Sequence, residues 1–124
     1  MTTFELMNSE TLQKLGNETS PEMLAEIVSI FIKEMEERIN SLPVAVDELD
    51  GDELIARAHA IKSSAGTFGA LRLEDNARRI EQLGRDDKID EARSEIASML
   101  ETGRKTLDLY RQHYPSSGAM ISDT

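Results

Sequence analysis

Two residues three positions apart, His59 and Lys62, are the part of this sequence best suited to chemistry. An imidazole offers a neutral nucleophilic nitrogen near pH 7. A lysine at i+3 on the same helix can reach whatever the imidazole carries. Ala56, Ser63 and Gly66 stand one turn away on the same side. Solvated helix faces usually carry long charged side chains, so small neighbours leave the imidazole open to another protein's surface. A lone histidine on a helix is most often only a surface residue, and the spacing has to be weighed against that.

The element that must position the pair is a central helix. Asp50 or Asp52 can cap it, and it is expected to run to about Gly66. Leu54, Ala58, Ile61 and Ala65 recur at helical spacing and form one apolar stripe. At about 100° per residue, His59 lies roughly 130° from the centre of that stripe and points away from the core. The Gly-rich stretch Gly66-Thr67-Phe68-Gly69-Ala70 ends the helix in a tight connection, with Phe68 expected to anchor it in the core.

The pattern His59-x-x-Lys62-x-Ser64, with Gly69-Ala70 after it, resembles the signature of histidine-containing phosphotransfer (HPt) domains. Leu73, the run Ala77 to Glu81, and Gly84 extend the likeness, which covers roughly residues 9–114. Many members have Gly four residues after the histidine. This sequence has Ser63, as do small single-domain members that serve quorum-sensing phosphorelays. The resemblance implies that His59 carries a phosphoryl group on Nε2, passed between aspartates of receiver domains. It implies two partners, the receiver domain of a hybrid sensor kinase and that of a response regulator. It also places Mg²⁺ in the partner receiver, so the chain needs no cofactor of its own. Lys62 is the candidate for phosphoryl stabilisation, and Ala56, Ser63 and Gly66 for the rim on which a receiver docks.

The rest of the chain reads as helices around this one. Residues 1–8 are a leader of undetermined order. Ser9 can cap a short helix carrying Leu12 and Leu15 that stops at Gly16-Asn17. Ser20-Pro21-Glu22 is a stronger start signal, with a capping Ser, Pro at the first helical position and an acid in the first turn. The helix it opens is expected to reach about Leu42, before Pro43, with a little further helix beyond; Leu24, Ile27, Val28, Phe31, Met35, Ile39 and Leu42 form its core stripe. Met23 and Ile30 lie off the stripe, either under the first helix or as part of a docking patch. The next helix spans about Ala70 to Gly84 with Leu71, Leu73, Ala77, Ile80 and Leu83 inward. Asp87 is a candidate cap for the last helix, about Lys88 to Tyr114. Its apolar face holds Ile89, Ala92, Ile96, Met99 or Leu100, Gly103, Leu107, and Tyr110 or Tyr114. Pro115 ends it, and residues 115–124 read as a disordered tail. Short connections between long helices predict an all-α, antiparallel four-helix bundle with a short extra N-terminal helix, over residues 9–114.

Composition narrows the function. The 124 residues fit one domain, and the hydrophobic fraction of 39% supplies a small core with few aromatics. A net charge of −10 argues against nucleic acid or an anionic membrane surface as partner. With no cysteine there is no thiol chemistry or disulfide. Neither a signal peptide nor an apolar run of about 18 residues is present, so a cytoplasmic location is expected, and a monomer. Neither His59 nor His113 follows a Glu at i−3, which excludes the Glu-x-x-His metal pattern of helical bundles. Gly66-Thr67-Phe68-Gly69 lacks the residues of a phosphate-binding loop, so the chain is expected to carry phosphoryl groups without ATP-dependent kinase activity. His113, in the last turn of its helix, suits the helix dipole. The rival reading is a non-catalytic helical adaptor for a signalling protein. It accounts for the bundle and the acidity but not for Lys62 beside an accessible His59.

Overall fold

The computed structural model describes residues 5–48 and 50–115. The remaining parts of the expected leader and tail, residues 1–4 and 116–124, lie outside the described residues. Five helices follow in order: α1 Ser9–Glu18, α2 Pro21–Asp47, α3 Gly51–Phe68, α4 Leu71–Arg85 and α5 Ile89–His113. The four longer helices form an antiparallel bundle, in which α2 and α4 each pack against both α3 and α5. The short α1 lies beside α2 and α3. One apolar cluster joins all five.

Local chemistry explains most boundaries. Ser20 caps α2 by accepting from the Met23 amide at 3.1 Å, and Asp50 caps α3 by accepting from Glu53 at 3.0 Å. At the start of α1 the capping residue is Asn8, one position before the expected Ser9, and its Oδ1 accepts from the Thr11 amide at 2.9 Å. That helix also continues past Gly16 to Glu18; the missing side chain lets Leu24 of α2 approach, since a Cβ there would meet Leu24 at 3.1 Å.

Two boundaries differ more. Helix α2 runs through Pro43 to Asp47 rather than stopping near Leu42. Leu42, Ala45 and Val46 are all buried, so packing of the last turn outweighs the backbone hydrogen bond that proline removes. Asp87 does not cap α5. It takes φ 61° in the turn after α4, and Lys88 occupies the cap position without a side-chain bond. The open choices on α5 resolve towards Met99 and Tyr110, both fully buried, while Leu100 faces out and Tyr114 is half-buried.

The C-terminal end of α3 is held most firmly. Gly69 takes φ 81°, a left-handed conformation that lets the Ala70 amide return to the Ala65 carbonyl at 2.8 Å. The Phe68 ring stacks on Phe31 at 4.5 Å, and the buried Tyr110 hydroxyl of α5 donates to the Phe68 carbonyl at 2.7 Å. Burial pushes the Tyr110 phenol well above its ordinary range, so it stays a donor. The segment before α1 closes the same end. Asn8 donates its amide to the Gly69 carbonyl at 2.8 Å, and Glu5 accepts from the Arg72 amide at 2.9 Å, in the first turn of α4 that no side chain caps.

Candidate functional site

His59 stands in the outward face of α3, on the side of the α3–α4 seam. Its side chain is 58% exposed, whereas Ala58 and Ile61 on the same helix are fully buried. Tilting of the helix is prevented at one end by the Phe68–Tyr110–Phe31 anchor, and close packing along the seam sets its distance from α4. A Cβ on Gly84 of α4 would stand 2.9 Å from Ile55 Cγ1 of α3, so the missing side chain is what permits the approach.

That approach brings Glu81 of α4 under the imidazole. Its side chain is only 7% exposed, and three cationic or donor groups converge on it. Lys62 Nζ lies 2.7 Å from Oε1, Arg85 donates to Oε2 at 2.8 Å, and His59 Nδ1 lies 3.1 Å from Oε2. Burial pushes the carboxyl pKa up, but the hydrogen bonds from Lys62, Arg85 and His59 outweigh it and hold the group at about 2. Glu81 is therefore ionised at neutral pH and can only accept. The proton of a neutral His59 must then sit on Nδ1, which leaves the lone pair on Nε2. A buried acceptor has selected the tautomer whose nucleophilic nitrogen is free of the contact.

The other expected site residues divide. Ala56 and Ser63 are exposed beside His59, as a rim requires. Lys62 reaches Glu81 and is 30% exposed, so its ammonium lies between the buried carboxylate and the surface. Gly66 is half-covered by α4: a Cβ on it would come within 2.5 Å of Glu74 Oε2. Its smallness thus makes room for α4. Met23 and Ile30 are 47% and 52% exposed, so they do not pack under α1. His113 is exposed in the last turn of α5. Glu81 entered the sequence reading only as part of a family likeness, and Arg85 lay just beyond the helix expected to end at Gly84. The available signal was a carboxylate on an inward face, next to Ile80 and in line with Ala77 and Gly84.

Among the described residues no group of three or more His, Cys, Asp or Glu side chains is placed to hold a metal ion. No helix among them is long and apolar enough to cross a membrane.

Known proteins resemble this chain in sequence and in fold. The family model described as Hpt domain matches residues 26–112. The chain is 31% identical over 111 residues to the phosphorelay protein LuxU of Vibrio harveyi, covering 86% of this chain and 94% of the relative. It is 29% identical over 110 residues to LuxU of Vibrio vulnificus, with 86% and 92% covered. The crystal structure of histidine-containing phosphotransfer protein B from Pseudomonas aeruginosa matches with a TM-score of 0.84 at 21% identity, over 90% of this chain and 96% of that one, and so shares the fold.

Proposed function

Because this chain belongs to the histidine-containing phosphotransfer (Hpt) domain family and serves histidine phosphotransfer in a phosphorelay, we propose that His59 is its phosphoryl carrier. The donor is an aspartyl phosphate on the receiver domain of a hybrid sensor kinase, and the acceptor is a receiver aspartate of a response regulator. The observation that carries this reading is the Glu81 contact, which engages Nδ1 and leaves Nε2 free of it on a side chain that is more than half exposed.

The Nε2 lone pair attacks the phosphorus of the aspartyl phosphate. The N–P bond forms as the P–O bond to the aspartate breaks, and the aspartate leaves as a carboxylate. The imidazole, still protonated on Nδ1, becomes a cation facing the ionised Glu81, which stabilises it. Lys62, held at the edge of the site, meets the phosphoryl oxygens. Attack by the second receiver's aspartate reverses each change. Glu81 already satisfies three groups, so Mg²⁺ belongs to the receiver's own acidic pocket. Ala56 and Ser63 form the rim against the receiver, with Gly66 at its edge, and the exposed Met23 and Ile30 extend the docking surface onto α2. The carrier acts as a cytoplasmic monomer.

The test is transfer itself. Receivers of the same organism, charged with labelled phosphate, are mixed with the chain. The expected product is acid-labile, alkali-stable label on this chain, discharged by a second receiver. Failure of every receiver to label it would overturn the reading and favour the adaptor.

A further inference from the structure

A second candidate site lies on the opposite side of the bundle from His59. The seam between α2 and α5 opens into a cleft of about 410 Å³. Its floor is apolar, made by Ile39 of α2 and by Leu100, Gly103 and Leu107 of α5. Gly103 lets Ile39 pack down into that floor: a Cβ there would stand 2.8 Å from Ile39 Cδ1. From Leu100 to Arg111 the cleft follows α5 for about 16 Å. One end is closed by an ion pair across the seam, Arg111 with Glu36 at 2.6 Å.

The polar groups at the rim are unequal. Arg111 is occupied by Glu36 and Asp108. Arg104 lines the same cleft and has no hydrogen-bond or ion-pair partner among the described residues. Asn40 faces it across the seam with an amide that can donate. One unneutralised guanidinium above an apolar floor complements one negative charge on an apolar body.

Size decides between a small molecule and a protein. A stable protein interface needs about 800 Å² per partner. Here α5 also carries paired charges in the same stretch, Lys105 with Glu101 and Arg111 with Asp108. The volume falls at the lower end of the roughly 300–1,000 Å³ of ligand pockets. We propose that the α2–α5 cleft binds a small amphipathic monocarboxylate, its apolar part over Gly103 and its carboxylate on Arg104.

Octanoate is the probe, titrated into the isotope-labelled full chain with backbone amide shifts as the readout. The expected result is saturable shifts at Ile39, Gly103, Arg104 and Leu107, with the amides around His59 unmoved. Octanol and acetate should each bind at least tenfold more weakly, since each lacks one half of the match. Arg104→Ala, at an exposed position, should fold normally and weaken octanoate roughly fivefold. Leu100→Gln, which puts a polar group in the apolar floor, should weaken it as well. No saturable shift at these amides would overturn the proposal. So would an Arg104→Ala protein that binds octanoate as the parent does, or octanol binding as tightly as octanoate. Phosphotransfer at His59 is scored separately, so neither result depends on the other.

Discussion

The α3–α4 seam and the α2–α5 seam use the same device and end with opposite characters. In each, a glycine on one helix admits an isoleucine from the other, Gly84 with Ile55 and Gly103 with Ile39. In the first seam the polar side chains then turn inward, and Lys62, Arg85 and His59 converge on a buried carboxylate. In the second they remain at the rim, and Arg104 converges on nothing. A buried ionised group has to be satisfied, and whatever satisfies it is held in one arrangement. A cation at a rim is held by water and keeps its rotamers. The first seam therefore orients the His59 imidazole, and the second offers an open surface.

The largest effect expected on this contrast comes from His59→Gln. The side chain is more than half exposed and a glutamine amide can still donate towards Glu81, so stability should change by about 1 kcal/mol or less. Phosphoryl acceptance should fall to background, because amide nitrogen is not a nucleophile. Arg104→Ala in the other seam should leave transfer at the parent rate. Label retained in His59→Gln would place the phosphate elsewhere, with His113 the first residue to test.

Next is Glu81→Gln, which keeps the shape of the site and removes its charge. The folded carboxyl sits at about 2 against an ordinary 4.5, so its contribution to stability is fully present above pH 4.5 and is lost as pH falls through about 2. That difference corresponds to on the order of 3 kcal/mol at pH 7. Urea unfolding should show Glu81→Gln less stable by up to this amount at neutral pH. The two proteins should converge as pH approaches 2. A gap that stays constant between pH 5 and pH 2 would mean that lost packing, not lost charge, accounts for it. Transfer should slow too, since a glutamine oxygen still accepts from Nδ1 but no longer faces the imidazolium with a full charge.

How far the sequence could be read follows the same division. The apolar stripes of α2, α3, α4 and α5 repeat at helical spacing, and periodicity alone locates Ala58 and Ile61 inside and His59 outside. The Ser20 cap is local chemistry and was legible for that reason, as was a cap at Asp50 or Asp52, which the structure resolves to Asp50. Glu81 was not, because its role depends on α3 lying against α4, and a glutamate within a helical run ordinarily reads as solvated. The passage of α2 through Pro43 was hidden likewise, since burial of Ala45 and Val46 is a tertiary fact that overrides a local rule. Gly66 shows the limit from the other side. Its smallness suggested an open rim, while Glu74 of α4 supplies a second reason for it.

The two glycines give a smaller and more discriminating test. An added methyl on Gly84 would meet Ile55 at Cγ1, which is tied to the backbone by one further bond. On Gly103 it would meet the terminal Cδ1 of Ile39, which can swing aside. Alanine also gains up to about 1 kcal/mol over glycine in a helix interior. Gly103→Ala should thus be near neutral in thermal unfolding, with unchanged phosphotransfer. Gly84→Ala should be less stable by about 1–2 kcal/mol, at the lower part of the range for overpacked cores. It should also transfer more slowly, because it moves α3 off Glu81. Equal effects on transfer from both substitutions would show that the seam spacing does not position His59.

The smallest effect separates two roles for Lys62. Its ammonium is 2.7 Å from Glu81 Oε1, yet the side chain remains 30% exposed and can turn towards a phosphoryl group above His59. Removing it in Lys62→Ala takes a charge from the transferred group without taking the nitrogen that bonds it. Arg85 and Nδ1 both contact Oε2, so the imidazole should keep its tautomer and orientation. An ion pair at a wet edge is worth about 0.2–1 kcal/mol. By the relation of barrier to rate that is up to roughly fivefold in transfer. Single-turnover transfer from a charged receiver should therefore slow by a few-fold, with the label still acid-labile and the protein still helical by circular dichroism. Arg85→Ala should slow it less, since its guanidinium pairs with Glu81 Oε2 and Lys62 is the cation proposed to meet the phosphoryl oxygens. A complete loss in Lys62→Ala would mean that the lysine fixes the imidazole through Glu81. No change at all would make it only the counterion of that carboxylate, and would leave the α3–α4 seam with a single chemical task, the orientation of His59.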